Sequence, residues 1–284
     1  MEIEKSKDGT VKFNFDEGYS AVLIPLGERL TFCLSTQIGC PMKCKFCASG
    51  KKEFKKNLTI EQLKEQLDVA VNYLSLKNLI TRKNSKGEDG MLAETIGTLV
   101  FMGMGEPLLN LKNVLEFCDY VNEYYSYAYS KIAISTSGII PKMYEVIENK
   151  NKINLALSLH SPNQKIRDKL MPLLKEYKIE DLVTACNNYN SVYKHKIMIE
   201  YLMIDGLTDR DEDLDALLNL GLTEKTNFNL IPLNGTFELD EKIYSCSKED
   251  TIKKFREKLM EKGYKCFTRT NMGKDIEAAC GMLK

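Results

Sequence analysis

The sequence predicts an α/β fold, a parallel sheet with helices on its outside that closes as a partial (β/α)6 barrel. Three observations carry this. The 284 residues, 43% of them hydrophobic, suffice for one large core or for a core with a small appendage. From Ile96 onward, short apolar runs alternate with amphipathic ones, and such alternation means parallel strands joined by helical crossovers. Each polar motif also follows directly on a strand-like run, as the loops at the C-terminal rim of a barrel do.

Taken in order, Thr10–Phe15, Ala21–Pro25 and Leu30–Thr36 read as strands from alternation and β-branched content. Residues 1–29 form an N-terminal β extension and residues 30–284 a core domain that carries a C-terminal segment. Asn57–Ile80 has helical periodicity, with Thr59 and Gln62 spaced as a capping box. Thr81–Glu94 is polar and glycine-bearing, a surface insertion. Strands follow at Ile96–Met102, Ile132–Thr136, Ile153–Leu159, Ile197–Met203 and Asn227–Ile231. Helices lie near Leu111–Tyr124, Lys142–Asn149, Ile179–Val192, Asp211–Leu220 and Lys248–Lys262, before a short strand Tyr264–Arg269.

Composition narrows the function classes. Formal net charge is zero, whereas dedicated nucleic-acid binders are basic overall, so an RNA partner would need a local patch. Lys43, Lys45, Lys51, Lys52, Lys55 and Lys56, interleaved with Phe46 and Phe54, offer one. The same run also reads as a solvated charged face. No apolar run approaches the roughly 18 residues of a membrane span, and the charged start Met-Glu-Ile-Glu-Lys has no signal h-region. Nine cysteines, an odd count with one tight group, point to a reducing cytoplasm rather than a disulfide framework.

That group is Cys40-Pro-Met-Lys-Cys44-Lys-Phe-Cys47. Three thiolates in one loop can hold three irons of a [4Fe–4S] cluster and leave the fourth open to a small molecule. The competing reading is a three-cysteine zinc site completed by a histidine. The two histidines, His160 and His195, are both distant in sequence. Gly103-Met-Gly-Glu-Pro107 combines glycines, which let a backbone approach a ligand, with an acid that can accept from an ammonium; it also reads as an ordinary strand-to-helix turn. Ser135, Ser158 and Asn234 are turn or cap formers in the plain reading. His160, after an apolar strand, reads plainly as a structural histidine. Cys118, Cys186 and Cys266 read as buried apolar fillers, and Cys246 as a loop cysteine.

The C-x3-C-x2-C spacing resembles the radical S-adenosylmethionine (SAM) superfamily. Five segments, Thr31–Cys40, Phe101–Asn110, Ile134–Pro141, Leu157–Pro162 and Asp275–Gly281, together resemble the radical SAM adenine methyltransferases of RNA. These methylate C2 of an adenosine in 23S rRNA and some tRNAs, and resistance-type relatives methylate C8 of the same base. The resemblance runs from about Ser20 to the C-terminal segment. It implies a cluster on Cys40, Cys44 and Cys47, and SAM bound through Gly105, Glu106, Ser135, Ser158, Leu159, His160 and Asn234. It implies two catalytic cysteines, Cys280 and Cys33, and two SAM molecules per turnover. One SAM methylates Cys280; a second yields a 5′-deoxyadenosyl radical that activates the S-methyl group for addition to the base. Cys33 then takes the ring proton and resolves the adduct as a Cys33–Cys280 disulfide. A thiol reductant must reset that disulfide, and a reductase must feed the cluster. Chemistry makes the detour necessary, because adenine C2 and C8 are not nucleophilic and direct transfer fails there.

Three departures accompany the resemblance. The family's helical N-terminal accessory domain, which helps grip RNA, has no counterpart before the first strands, so a short form lacking it is expected. Ser20 stands where the family has a proposed glutamate base, with Glu17 nearby. Net charge is zero. C2 methylation is the expected outcome; C8 methylation, or the same cysteine relay on another substrate, is the alternative. A non-catalytic iron–sulfur or RNA-binding protein would need neither Cys33 nor Cys280.

Overall fold

The structure is a computed structural model and describes residues 1–77, 79, 90–149, 151–193 and 196–284. In chain order, β1 (Glu2–Lys5), β2 (Val11–Asn14), β3 (Ser20–Leu26), β4 (Arg29–Cys33) and β5 (Gln37–Ile38) come first. α1 (Ala48–Lys51), β6 (Lys56–Asn57), α2 (Ile60–Leu76) and α3 (Gly90–Thr95) follow. Next are β7 (Ile96–Phe101), α4 (Leu111–Tyr125), β8 (Ile132–Thr136), α5 (Ile140–Glu148), β9 (Asn154–Ser158), α6 (Gln164–Leu170) and α7 (Ile179–Val192). The last are β10 (Met198–Met203), α8 (Asp211–Leu218), β11 (Asn227–Pro232), β12 (Phe237–Leu239), β13 (Lys242–Tyr244), α9 (Glu249–Glu261) and β14 (Lys265–Thr268).

The chain folds as two compact units. Unit one comprises Met1–Pro41, Lys52–Ser135 and Met272–Lys284; unit two comprises Met42–Lys51 and Thr136–Asn271. In unit one, β1 to β4 form an antiparallel meander. β4 then pairs in parallel with β7, and β7 with β8. In unit two, β9, β10, β11 and β14 run parallel in that order. The expected strand–helix alternation is therefore present in both units.

Most expected elements lie within a residue or two of their positions. α2 begins at Ile60 because Thr59 and Gln62 do form the reciprocal capping box. Its inner face buries Leu63, Leu67, Ala70, Val71 and Leu74, and each such leucine contributes about 1.5–3 kcal/mol. The strand expected over Leu30–Thr36 stops at Cys33, because Ser35 leaves the ladder: both its N–H and its carbonyl bond the side chain of fully buried Gln66. The insertion expected over Thr81–Glu94 falls mostly outside the described residues, and its end is helical, since α3 starts at Gly90. β1, the short pair β5–β6, α1, α6 and the hairpin β12–β13 were not expected. Among the described residues, no helix is long and apolar enough to cross a membrane.

The segment Met272–Lys284 is held to the N-terminal strands of unit one by polar ties. Asp8 accepts from the Gly273 N–H at 2.6 Å. The Ser6 hydroxyl donates to Asp275 at 2.5 Å, and buried Lys12 donates to the Ile276 carbonyl at 3.0 Å while pairing with Glu4. Burial opposes the Asp8 charge, but N–H donors from Gly273 and Thr10 outweigh it and hold its pKa at about 2. A carboxylate depressed in the folded state stabilises above its ordinary value and loses that contribution as pH falls towards about 2. Asp8 is solvent-exposed, so screening keeps the tie at about 1 kcal/mol. The Asp8→Asn protein should exchange the Gly273 and Ala278 amides about fivefold faster at neutral pH, the equivalent of about 1 kcal/mol. Unchanged exchange at both would show that the segment is held without Asp8.

Candidate active site

The cysteine loop leaves β5 and returns on β6, whose two-residue ladder pairs Gln37 with Asn57 and Ile38 with Lys56. Gly39 opens the loop with φ +74°, and a Cβ there would lie 2.0 Å from the Glu53 carbonyl oxygen, so no larger residue fits. Cys40, Cys44 and Cys47 are all half-buried. Within unit two, the Cys47 N–H bonds the Cys44 carbonyl at 3.2 Å, and Gly50 N–H bonds the Cys47 carbonyl at 3.1 Å. Lys45 N–H donates to the Leu170 carbonyl at 2.9 Å, which ties the loop to the end of α6. Among the described residues, no three His, Cys, Asp or Glu side chains converge on a single-ion site. In the cluster reading each thiolate binds a different iron, so the three need not meet at one point, and soft thiolate donors suit iron–sulfur ligation.

Unit one supplies the Gly-Glu motif after β7. Gly103 and Gly105 are required by the neighbouring backbone. A Cβ at Gly103 would come 2.7 Å from the Leu34 carbonyl oxygen, and one at Gly105, where φ is +108°, would meet Gln37 Cβ at 2.7 Å. The two segments interlock: Met104 N–H donates to Ser35 Oγ at 2.8 Å, Glu106 N–H to Gln37 Oε1 at 2.8 Å, and Thr36 N–H to the Met104 carbonyl at 2.9 Å. Glu106 is buried, and its Oε1 caps the following turn by accepting from Leu108 N–H at 3.1 Å. Ser135 lies half-buried near the end of β8.

Cys33 is the last residue of β4, between Val22 and Val100 in the ladder. Ala278 and Leu283 pack into one apolar cluster with Cys33, Val22 and Val100. The segment bearing half-buried Cys280 therefore rests against buried Cys33, although nearly the whole chain separates them in sequence. Ser20 does not stand as a base: it is 2% exposed, and its hydroxyl donates to Asn14 at 2.8 Å. Glu17 does not replace it, being paired with Lys56 at 2.7 Å and accepting from Gln62 at 2.8 Å.

Unit two supplies Ser158, half-buried at the end of β9, then Leu159 and His160. The N–H groups of Leu159 and His160 both bond the Glu200 carbonyl, and His160 takes φ +59°. Its ring is 5% exposed and meets Phe46 edge-on at 4.8 Å. Burial, then the positive Arg167, hold the imidazole pKa down at about 3, so it is neutral at physiological pH. Its buried Nδ1 has no hydrogen-bond partner among the described residues, an orphan that a bound ligand's polar group can satisfy. Asn234 Nδ2 donates to Asn271 at 3.4 Å. His195 lies outside the described residues.

The bland readings hold for three cysteines. Cys118 and Cys186 are fully buried and Cys266 nearly so. Burial raises all three thiols, those of Cys186 and Cys266 to about 12, so they are inert near neutrality. Of the lysines, Lys43, Lys45, Lys51 and Lys55 are exposed. Lys52 donates to the Gly18 carbonyl at 2.8 Å, and Lys56 holds Glu17.

Two groupings in unit two are absent from the sequence reading. Glu200, buried on β10, accepts from Asn229 at 2.9 Å and from Arg269 at 3.3 Å. Arg167 on α6 is fully buried. Its one available signal is helical spacing, since it lies three residues before Leu170 on the same face.

Comparison with known proteins bears on all of this. The sequence profile of the radical SAM superfamily matches residues 91–218. The chain is 38% identical over 287 residues to the dual-specificity RNA methyltransferase RlmN of Buchnera aphidicola subsp. Cinara cedri, covering 98% of this chain and 76% of that protein. It is 38% identical to the protein of that name from Psychrobacter arcticus, over 98% of this chain and 70% of the relative. A radical SAM methyltransferase from Sphaerobacter thermophilus superposes with a TM-score of 0.88 at 31% identity, covering 100% of this chain and 80% of the other. HydG, a maturase of [FeFe]-hydrogenase, superposes with a TM-score of 0.52 at 12% identity, over 83% of this chain and 55% of its own, a likeness of fold alone. The α/β fold expected from the strand–helix alternation and the radical SAM resemblance carried by the motifs are thus borne out, and the chain belongs to the RlmN family of radical SAM methyltransferases.

Proposed function

We infer that this chain methylates an adenine in RNA, at C2, with Cys280 as methyl carrier and Cys33 as resolving thiol. The observation that supports it best is the apolar cluster in unit one that packs Ala278 and Leu283 against Cys33. A core needs no reactive thiol at that spot, and electron transfer or RNA binding alone would need none either. In this reading Cys280 and Cys33 act in sequence, the first as nucleophile and the second to break a thioether. Identity over nearly the whole chain to enzymes named for RNA methylation supports the substrate class.

Cys40, Cys44 and Cys47 hold the [4Fe–4S] cluster in this reading. Glu106 and the Gly105 backbone take the SAM amino group, and Ser135, Ser158, Leu159, His160 and Asn234 take its remaining polar groups. When bound, the cluster and SAM supply the hydrogen-abstracting radical. Neutral His160 can accept or donate a hydrogen bond but cannot deliver a proton from an imidazolium at neutral pH. The exposed Lys43, Lys45, Lys51 and Lys55 meet RNA phosphates, so binding weakens as salt rises. The target base must be unstacked to reach the thiols. A reductase feeds the cluster, a thiol reductant reopens the Cys33–Cys280 disulfide, and the reducing cytoplasm provides both. C8 methylation uses the same two thiols; nucleoside mass spectrometry of modified RNA separates 2-methyladenosine from 8-methyladenosine.

Two measurements test the assignment. Anaerobically reconstituted chain should contain about four irons, and Cys44→Ala should lose nearly all of them; undiminished iron in that variant removes the ligand assignment. The two lone cysteines should fail at different steps. Cys280→Ala should acquire no methyl group and form no RNA adduct. Cys33→Ala should methylate Cys280, attack the base and stall as a covalent protein–RNA crosslink visible on denaturing gels. Full turnover by Cys33→Ala, or an S-methyl group mapped to another cysteine, would leave the relay without support.

A further inference from the structure

α6 directs a guanidinium into the interior of unit two. Arg167 is 0% exposed. Its Nη2 donates to the Ser137 carbonyl at 2.6 Å, while Nε and Nη1 are buried with no hydrogen-bond partner among the described residues. Gly138, at φ +106°, leaves the room: a Cβ there would sit 3.2 Å from Nη2. Removing a cation from water costs several kcal/mol unless an anion and hydrogen-bond acceptors compensate. One carbonyl does not suffice for a group with five N–H donors.

The charges around it show where compensation comes from. Burial lowers the guanidinium pKa to about 10, and the charges that work against that shift are, in order, Cys44 and Asp168. Asp168 is partly exposed and accepts from Gln164 at 2.7 Å. Cys44 is half-buried. The helix that carries Arg167 also holds the residue after Cys44, through Lys45 N–H to the Leu170 carbonyl at 2.9 Å. Phe46, the next residue, is fixed against His160. α6 therefore holds the middle of the cysteine loop by its backbone and sets one positive charge beside it.

We propose that Arg167 is the counter-charge of the iron–sulfur cluster, a positioning residue whose two unpartnered nitrogens are left to donate to the cluster's sulfur and so favour the reduced cluster. This rests on Cys44 being a cluster ligand. Reduction adds one negative charge, so a fixed cation close by stabilises the reduced form more than the oxidised one, and hydrogen bonds to cluster sulfurs act in the same direction. In a purely structural role the guanidinium would fix α6 and leave the cluster's potential unmoved.

The test uses the full chain, anaerobically reconstituted and free of SAM. Arg167→Met keeps bulk without charge, and Arg167→Lys keeps charge. A redox titration followed by electron paramagnetic resonance should show the reduction equilibrium of Arg167→Met at least tenfold less favourable than that of wild type, which is 59 mV for one electron. Arg167→Lys should show less than half that displacement. Independently of either variant's folding, wild-type protein labelled with 15N-arginine should show nitrogen hyperfine coupling to the reduced cluster, absent from Arg167→Lys. An unmoved potential in iron-replete Arg167→Met overturns the proposal. So does the absence of coupling in SAM-free wild type, including coupling that appears only after SAM is added, which would assign the guanidinium to the SAM carboxylate. A wild-type chain that binds no iron would instead overturn the cluster assignment beneath it.

Discussion

The site residues of unit one depend on one close approach of two backbone segments. Leu34–Gln37 leaves β4, Gly103–Glu106 leaves β7, and the two interlock through Met104 N–H to Ser35 Oγ, Glu106 N–H to Gln37 Oε1 and Thr36 N–H to the Met104 carbonyl. The contact is so short that only hydrogen fits as a side chain at 103 and 105. Fully buried Gln66 from α2 fixes Ser35 from behind, and Asn110 fixes the Thr36 and Leu58 carbonyls. This one arrangement orients Glu106, carries the chain from Cys33 towards Cys40, and brings the helix caps into the same network. A methyl group added at either glycine would press on several hydrogen bonds at once, so its effect would extend beyond its own position.

Much of this was legible in the sequence, and the reason differs by element. β7, β8 and β10 are apolar runs of strand length bounded by turn formers, and alternation betrayed β2. α2 announced its start through Thr59 and Gln62. α6 was invisible because Gln-Lys-Ile-Arg-Asp-Lys-Leu reads as a solvated stretch; the one charge that turns inward is not marked by its neighbours. β1, Glu-Ile-Glu-Lys, has a single apolar residue and exists only because β2 offers it a ladder. The hairpin β12–β13 is too short for a periodicity to register.

The candidate site divides in the same way. Cys40, Cys44 and Cys47 stood out because their spacing is local, and the burial of Cys118, Cys186 and Cys266 was readable because free cysteines behave as small hydrophobes. The meaning of Gly103 and Gly105 was only half readable. Their freedom serves the packing of Leu34–Gln37, and Glu106 caps the turn that follows, as the plain reading has it. Glu200, Asn229 and Arg269 come from three strands and meet only after β10, β11 and β14 pair. A polar network assembled by sheet register leaves no trace in any one stretch of sequence.

The ties between Met272–Lys284 and Ser6, Asp8 and Lys12 carry a temporal consequence. During translation the meander β1–β4, with Cys33 in place, is complete while the segment bearing Cys280 is still unmade. Asp8 and Lys12 then present an unfilled acceptor and donor to which a late-arriving strap docks. The packing of Ala278 and Leu283 against Cys33 can thus form only after every strand of unit one has been made. Until residues 272–284 are made, the apolar face of Val22, Cys33 and Val100 has no cover from this strap.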